Sequence, residues 1–244
     1  MKKLLLSIVL LCVLTAGVHA AEPDIFIWPI SLNFGDVKVG QHVTYKYFTV
    51  FNKGDVDLLI TSVDVAKDNP LSNQLNLAAY QFSTDCLDGP VPPGGSCSVN
   101  MVFAPTTTGK KTALLQVASS DPDEEITSCP LFGNGVKAGM ALWPSFGDFG
   151  CVEIGQCDPR WAKVTNTGTA PLHVTSASIS GATRPSEWHV SSECGTVAPG
   201  ASCYIKVTVC PTDYGLRSAT LRVYSDAGSG TIPMRAAAAQ SCGY

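Results

Sequence analysis

Apolar and polar residues alternate along most of the chain. Val99, Met101 and Phe103 are spaced by polar Asn100 and by Val102, and Ile205, Val207 and Val209 by Lys206 and Thr208. Leu58 and Ile60 keep the same period, as do Leu115 and Val117. A period of two sets one group of side chains on one face of a strand, where it can be buried. Asn-x-Gly and Pro-Gly clusters interrupt these runs at short intervals, and such residues make turns. Beyond residue 20 no stretch carries a 3.6-residue apolar period, so the pattern predicts an all-β chain of short strands.

The pattern occurs twice. Phe34-Gly35, Gly40, Asn52-Lys53-Gly54, Leu58, Ile60 and Ser62 recur as Phe149-Gly150, Gly155, Asn166-Thr167-Gly168, Leu172, Val174 and Ser176. Cys86, Pro93-Gly94, Cys97, Pro105 and Gly109 recur as Cys194, Pro199-Gly200, Cys203, Pro211 and Gly215. The repeat spans about 110 residues, so the chain reads as a duplication. Seven or so strands per copy, with a turn every 8–12 residues, is the signature of an immunoglobulin-like sandwich. The expected domains are residues 21–137 and 138–244.

Residues 1–20 stand apart. Lys2 and Lys3 precede an apolar run from Leu4 to about Val18, and Val18-His19-Ala20 supplies small residues for a cleavage site. This reads as a cleaved signal peptide. The run is shorter than the roughly 20 residues a membrane span needs. Cleavage would remove two lysines and shift the net charge from −4 to −6. An acidic chain with 15% charged residues lacks the basic face of a nucleic-acid binder. Export would place the cysteines in an oxidising compartment, periplasmic or extracellular. Contact with a membrane is expected only through an uncleaved signal peptide.

Phe-Gly-x-Val-x-x-Gly (Phe34–Gly40), then Asn-x-Gly, Cys–Pro-Gly–Cys, Phe-x-Pro-x-x-x-Gly (Phe103–Gly109) and a closing Gly133-Asn134-Gly135 resemble the ASH family. Its bacterial members are called choice-of-anchor D domains, and it is related to major sperm protein-like folds. The second copy departs from the pattern at Val209-Cys210-Pro211 and at Ala236–Ala238. The resemblance implies two seven-stranded β-sandwiches and a binding or assembly module of the bacterial envelope. It implies no catalytic residues and names no ligand.

Ten cysteines are present, nine of them after residue 20. Cys86–Cys97 and Cys194–Cys203 occupy equivalent places around a Pro-Gly turn and are expected to form local bridges. Cys151 and Cys157 flank a possible turn at Gly155 and suggest a third. Cys129 aligns with Ile232 and reads as a buried thiol. Cys210 is left to pair with Cys242, or with another chain.

No cofactor is expected. The cysteines show no zinc-knuckle spacing. The acidic stretch Asp121, Asp123, Glu124 and Glu125 lacks an EF-hand pattern and reads as a solvated turn. His42, His173 and His189 belong to no catalytic motif, and no Gly-x-Ser-x-Gly elbow occurs. The candidate contact residues are Trp161 and Trp188, with Leu71 and Tyr80 in the longer loop 67–80 of the first copy. Trp28-Pro29 and Trp143-Pro144 occupy equivalent places, which favours a shared structural role. The expected function is a non-enzymatic exported module binding other envelope or extracellular proteins. The alternatives are a disulfide-linked structural or filament subunit and a carbohydrate-binding module.

Overall fold

A computed structural model describes residues 21–68 and 77–243. The expected signal peptide and Leu71 lie outside the described residues. The first copy contains β1 (Ile25–Trp28), β2 (Leu32–Lys38), β3 (Val43–Asn52), β4 (Ile60–Ala66), β5 (Tyr80–Thr84), β6 (Ser96–Phe103), β7 (Gly109–Ser119) and β8 (Ile126–Val136). The second contains β9 (Met140–Trp143), β10 (Gly147–Glu153), β11 (Asp158–Asn166), β12 (Leu172–Ser180), β13 (Trp188–Ser192), β14 (Thr196–Val197), β15 (Ser202–Val209), β16 (Gly215–Ser225) and β17 (Gly228–Ala239), with one 3-10 turn at Pro185–Glu187.

Each copy is a sandwich of two sheets. In the first, the orders are β1-β3-β6-β5 and β2-β8-β7-β4; in the second, β9-β11-β15-β13 and β10-β17-β16-β12-β14. The opening strand of each copy breaks after its Trp-Pro, and its halves join different sheets: β1 antiparallel to β3, β2 parallel to β8. Counted as one interrupted strand, β1 and β2 bring the first copy to the expected seven. The second copy adds only the two-residue β14.

The period-two residues face inward. Phe48, Val50, Val99, Met101, Phe103, Leu115 and Leu131 fill one core, and Val164, Leu172, Ile205, Val209, Leu221 and Ile232 fill the other. The two cores are separate clusters. Phe34 and Phe149 enter them from β2 and β10. The next residue, Gly35 or Gly150, has φ +69° or +65°, a left-handed value that glycine adopts without steric cost. Each lies in a bulge of the parallel pairing.

The Asn-x-Gly motif ties each copy to its own entry segment. Asn52 is fully buried, and its Nδ2 donates to the carbonyls of Val56 and Val91 at 2.7 and 2.8 Å. Asn166 repeats this with Ala170 and Val197 at 2.8 and 2.9 Å. Their Oδ1 atoms accept the N–H of Gly54 and Gly168. A Cβ on Gly54 would lie 2.1 Å from the Glu22 carbonyl, and one on Gly168 would lie 2.2 Å from that of Lys137. Only glycine fits where entry segment and turn meet this closely.

Among the described residues four disulfides are present, all within the chain. Cys86 joins Cys97 and Cys194 joins Cys203. The other expected pairs, Cys151–Cys157 and Cys210–Cys242, are exchanged: Cys151 bonds Cys242, and Cys157 bonds Cys210. The cause is topological. The parallel pairing of β10 with β17 brings the tail past Cys151, while Asp158 pairs with Val209, which sets the adjacent Cys157 beside Cys210. Among the described cysteines Cys129 is free, and it is buried.

Candidate functional site

The outward positions of the β9-β11-β15-β13 sheet carry a registered set of aromatic and cationic side chains. Ala162, Val164, Ile205 and Val207 point into the core, so their sequence neighbours point out. Lys163 stands between Trp143 on β9 and Tyr204 on β15. In the next row Trp161 stands opposite Lys206, which stands opposite Ser191 on β13. Trp143, Trp161 and Tyr204 are 68%, 55% and 57% exposed. No ion pair among the described residues engages Lys163 or Lys206.

The first copy presents the equivalent face with Thr49 and Asn100 at the places of the two lysines, and with Lys53 over the Phe51 ring at its edge. Trp28 stands opposite Thr49, and Tyr47 opposite Asn100. Both aromatic residues are exposed. Phe26 and Phe51 pair beside them with ring centroids 6.2 Å apart. The tryptophans of the repeated Trp-Pro therefore lie on the surface. A shared position and an exposed ring are compatible, and sequence alone gave no reason to prefer exposure.

Two of the expected contact residues lie in the core instead. Trp188 is 5% exposed and meets Phe149 edge-on at 5.4 Å. Its inward direction follows from register, since it pairs with buried Val209. Tyr80 holds the same place in the first copy, opposite Phe103, and donates its hydroxyl to the Lys111 carbonyl at 2.8 Å. Burial raises its pKa further above the usual phenol range. Trp161 alone of the described candidates is on the surface.

The remaining polar clusters have structural occupations. Asp121 is buried and accepts the N–H groups of Ile25, Asp123 and Glu124 at 2.8, 2.9 and 3.2 Å. Burial opposes its ionisation, but these three donors hold its pKa below the usual range. Asp85 lies beside the Cys86–Cys97 bridge; the bonded sulfurs offer no thiolate to a metal, and the carboxylate accepts the Ser98 N–H at 2.6 Å. His173 Nδ1 meets Thr196 Oγ1 at 2.9 Å on an exposed strand. Asp226 binds the main-chain N–H of His173, so these residues form no relay through the ring. Each copy also has an open groove where the glycine bulge meets the central strands. The one beside Asp148, Arg235 and Leu216 measures about 550 Å³, and the one beside Asp36, Lys110 and Phe132 about 380 Å³.

One cluster had no counterpart in the sequence reading. Glu187 and Arg217, each 2% exposed, form a buried ion pair. Glu187 also accepts the N–H and hydroxyl of Thr212 at 2.8 and 2.6 Å. Arg217 also bonds the carbonyls of Asp213 and Gly215 and the Asp213 carboxylate. In the first copy Lys111 takes the place of Arg217 and donates to the carbonyls of Thr108 and Gly109. The arginine was visible only as a departure from that lysine.

Two tandem sandwiches, each with a split opening strand and one solvent-facing aromatic sheet, define a two-domain immunoglobulin-like protein without a catalytic constellation among the described residues. The chain belongs to the HYDIN/CFA65/VesB-like immunoglobulin-like domain family, whose model matches residues 25–129 and again 139–237. This agrees with the ASH-like resemblance. Similar solved structures include a Porphyromonas gingivalis W83 protein of unknown function (15% identity, 87% of this chain and 99% of that one, TM-score 0.36). The ASH/PapD-like domain 7 of human CEP192 is 16% identical over 57% of this chain and 100% of its own, TM-score 0.36. The secreted serine protease VesC of Vibrio cholerae is 13% identical over 86% of this chain and 52% of its own, TM-score 0.34. None of the curated proteins matches the chain.

Proposed function

We propose that this protein is a non-enzymatic module, exported to the periplasm or beyond the cell, that binds other proteins through the outer aromatic sheet of each copy. The observation that carries the reading is the recurrence of two exposed aromatic residues at equivalent positions, Trp28 with Tyr47 and Trp143 with Trp161. Exposed tryptophan and tyrosine on a rigid sheet are the residue types that dominate protein interfaces. The four intrachain disulfides fit an oxidising compartment. Among the described residues they also leave a covalently linked subunit without an outward thiol, because Cys210 and Cys242 are both engaged and Cys129 is buried. A carbohydrate site built on Trp161 and Trp188 loses its second member to the core.

A photo-crosslinking residue placed at Lys163 or Thr49 tests this in the parent cell, with Arg222 on the opposite sheet as the control position. Protein adducts are expected from Lys163 and Thr49 above the level at Arg222. Equal adducts at all three positions, or none, would overturn the reading.

A further inference from the structure

We propose that the aromatic-lysine face of the second copy receives the acidic tip of the first copy of another molecule, so that the protein associates head to side. This rests on the protein-binding reading above and assigns that face its occupant.

The face differs from its counterpart in the first copy, on which the lysine set over an aromatic ring is Lys53, at the end of β3 above Phe51. The chain is acidic, with a net charge of −4. Yet the two rows Trp143–Lys163–Tyr204 and Trp161–Lys206–Ser191 contain two cations and no carboxylate. The first copy has Thr49 and Asn100 where the second has Lys163 and Lys206. A partner for this face must therefore offer carboxylates together with apolar surface.

The hairpin between β7 and β8 offers both. Pro122, Asp123, Glu124 and Glu125 are exposed in sequence, and Ile126 beside them is 60% exposed. The tip is also preformed. Asp121 accepts N–H groups from Asp123 and Glu124 within it and from Ile25 of β1, so docking costs little ordering entropy. Asp121 is spent on this role, and the three carboxylates beyond it are left to face outward.

The tip reaches a second molecule rather than its own second copy. β8 begins at the tip with Ile126, runs 11 residues and ends at Val136, where the second copy starts. At about 3.3 Å per residue the tip stands roughly 36 Å from that junction, at the far end of the first copy. The same hairpin end in the second copy, at Asp226, faces the junction and pairs with Lys38 of the first at 3.0 Å. An acidic residue from this end of a sandwich thus already contacts a lysine of the neighbouring sandwich within the chain. Tip and face are different surfaces, so the contact is heterologous and gives open chains of molecules rather than closed dimers, unless its rotation closes a ring.

Sedimentation of the purified oxidised protein between about 1 µM and 1 mM tests this. The weight-average mass is expected to rise with concentration at low salt. It should fall back toward the monomer at about 1 M salt, where screening acts within about 3 Å. Two charge reversals separate the surfaces: Lys163→Glu with Lys206→Glu, and Asp123→Lys with Glu124→Lys and Glu125→Lys. Each variant alone is expected to remain monomeric. Their mixture is expected to associate again, since either face then meets an oppositely charged tip, and that recovery also shows that both variants are folded. A wild type that stays monomeric, association that survives both reversals, or a mixture that fails to recover overturns the proposal. A monomeric wild type that still gives protein cross-links at Lys163 overturns this contact and leaves the protein-binding reading standing.

Discussion

Single residues show where the second copy differs energetically from the first. The carboxylate of Glu187 is buried against Arg217 and receives two further bonds from Thr212. Hydrogen bonding to Arg217 outweighs the cost of burial and brings its pKa down from 4.5 to about 2. A depressed carboxylate stabilises the fold fully above its unfolded value and loses that contribution as pH falls through its folded one. The second copy is therefore expected to lose stability on acidification from about pH 4.5 toward pH 2. Glu187→Ala, which strands Arg217 in the core, should cost about 3–5 kcal/mol in denaturant titration at neutral pH and flatten that acid dependence. The transition of the first copy should not move. Cys129 gives a second residue-scale expectation. Burial pushes its thiol up to about 11, and reactivity follows thiolate fraction and access. Once the expected signal peptide with Cys12 is removed, one thiol per molecule should label with iodoacetamide after denaturation, and essentially none before it.

At the scale of elements, the buried asparagines and the long-range disulfides decide the architecture. Asn166→Ala removes donors from the carbonyls of Ala170 and Val197 and an acceptor from the N–H of Gly168. Each buried group left unpaired costs about 1–3 kcal/mol. The Val91 carbonyl keeps the N–H of Leu58, and Val197 stands opposite Leu172 in the same way. Two groups are therefore stranded, and the variant should lose at least about 2 kcal/mol, with Asn52→Ala matching it in the first copy. Thermal unfolding of the paired variants checks the equivalence. Among the disulfides, Cys157–Cys210 spans 53 residues and Cys86–Cys97 spans 11. Chain entropy assigns the first about 4 kcal/mol and the second about 3. Replacing Cys157 and Cys210 together by serine should therefore destabilise more than replacing Cys86 and Cys97.

These elements also mark what the chain disclosed before folding. The Asn-x-Gly repeat and the period-two runs were local and appeared twice, so strands, copies and both short bridges could be read. The Cys151–Cys242 bond depends on a parallel pairing between β10 and β17, separated by most of a domain, and no local spacing encodes it. Trp188 and Trp161 look alike in sequence. One faces in because it pairs with Val209, the other out because it precedes buried Ala162. That one-residue difference in phase separates a core residue from a surface anchor.

For the whole molecule, the question is how far the two copies depend on each other. Their cores share no buried residue. The connecting residues are committed to the second copy: the Lys137 carbonyl accepts the N–H of Thr169 and Ala170, and the Gly139 carbonyl that of Thr167. Glu22 and Asp24 make the matching bonds to the corresponding turn of the first copy. The entry segment is thus part of each folding unit, and a cut between the copies must fall before Lys137. The ion pair that crosses the junction among the described residues, Lys38–Asp226, is 42% and 28% exposed. Burial works against the Asp226 carboxylate, while the His173 N–H and Lys38 hold its pKa below the usual range. An ion pair this exposed is worth about 0–1 kcal/mol. Residues 137–244 are therefore expected to fold alone, with both bonds Cys151–Cys242 and Cys157–Cys210 formed. Their unfolding free energy should lie within about 1 kcal/mol of the same transition in the full chain, and Lys38→Ala should close most of that gap. Should the isolated second copy prove unfolded, the bonds at Lys137 and Gly139 would not suffice to complete it, and the first copy would have to act as its template.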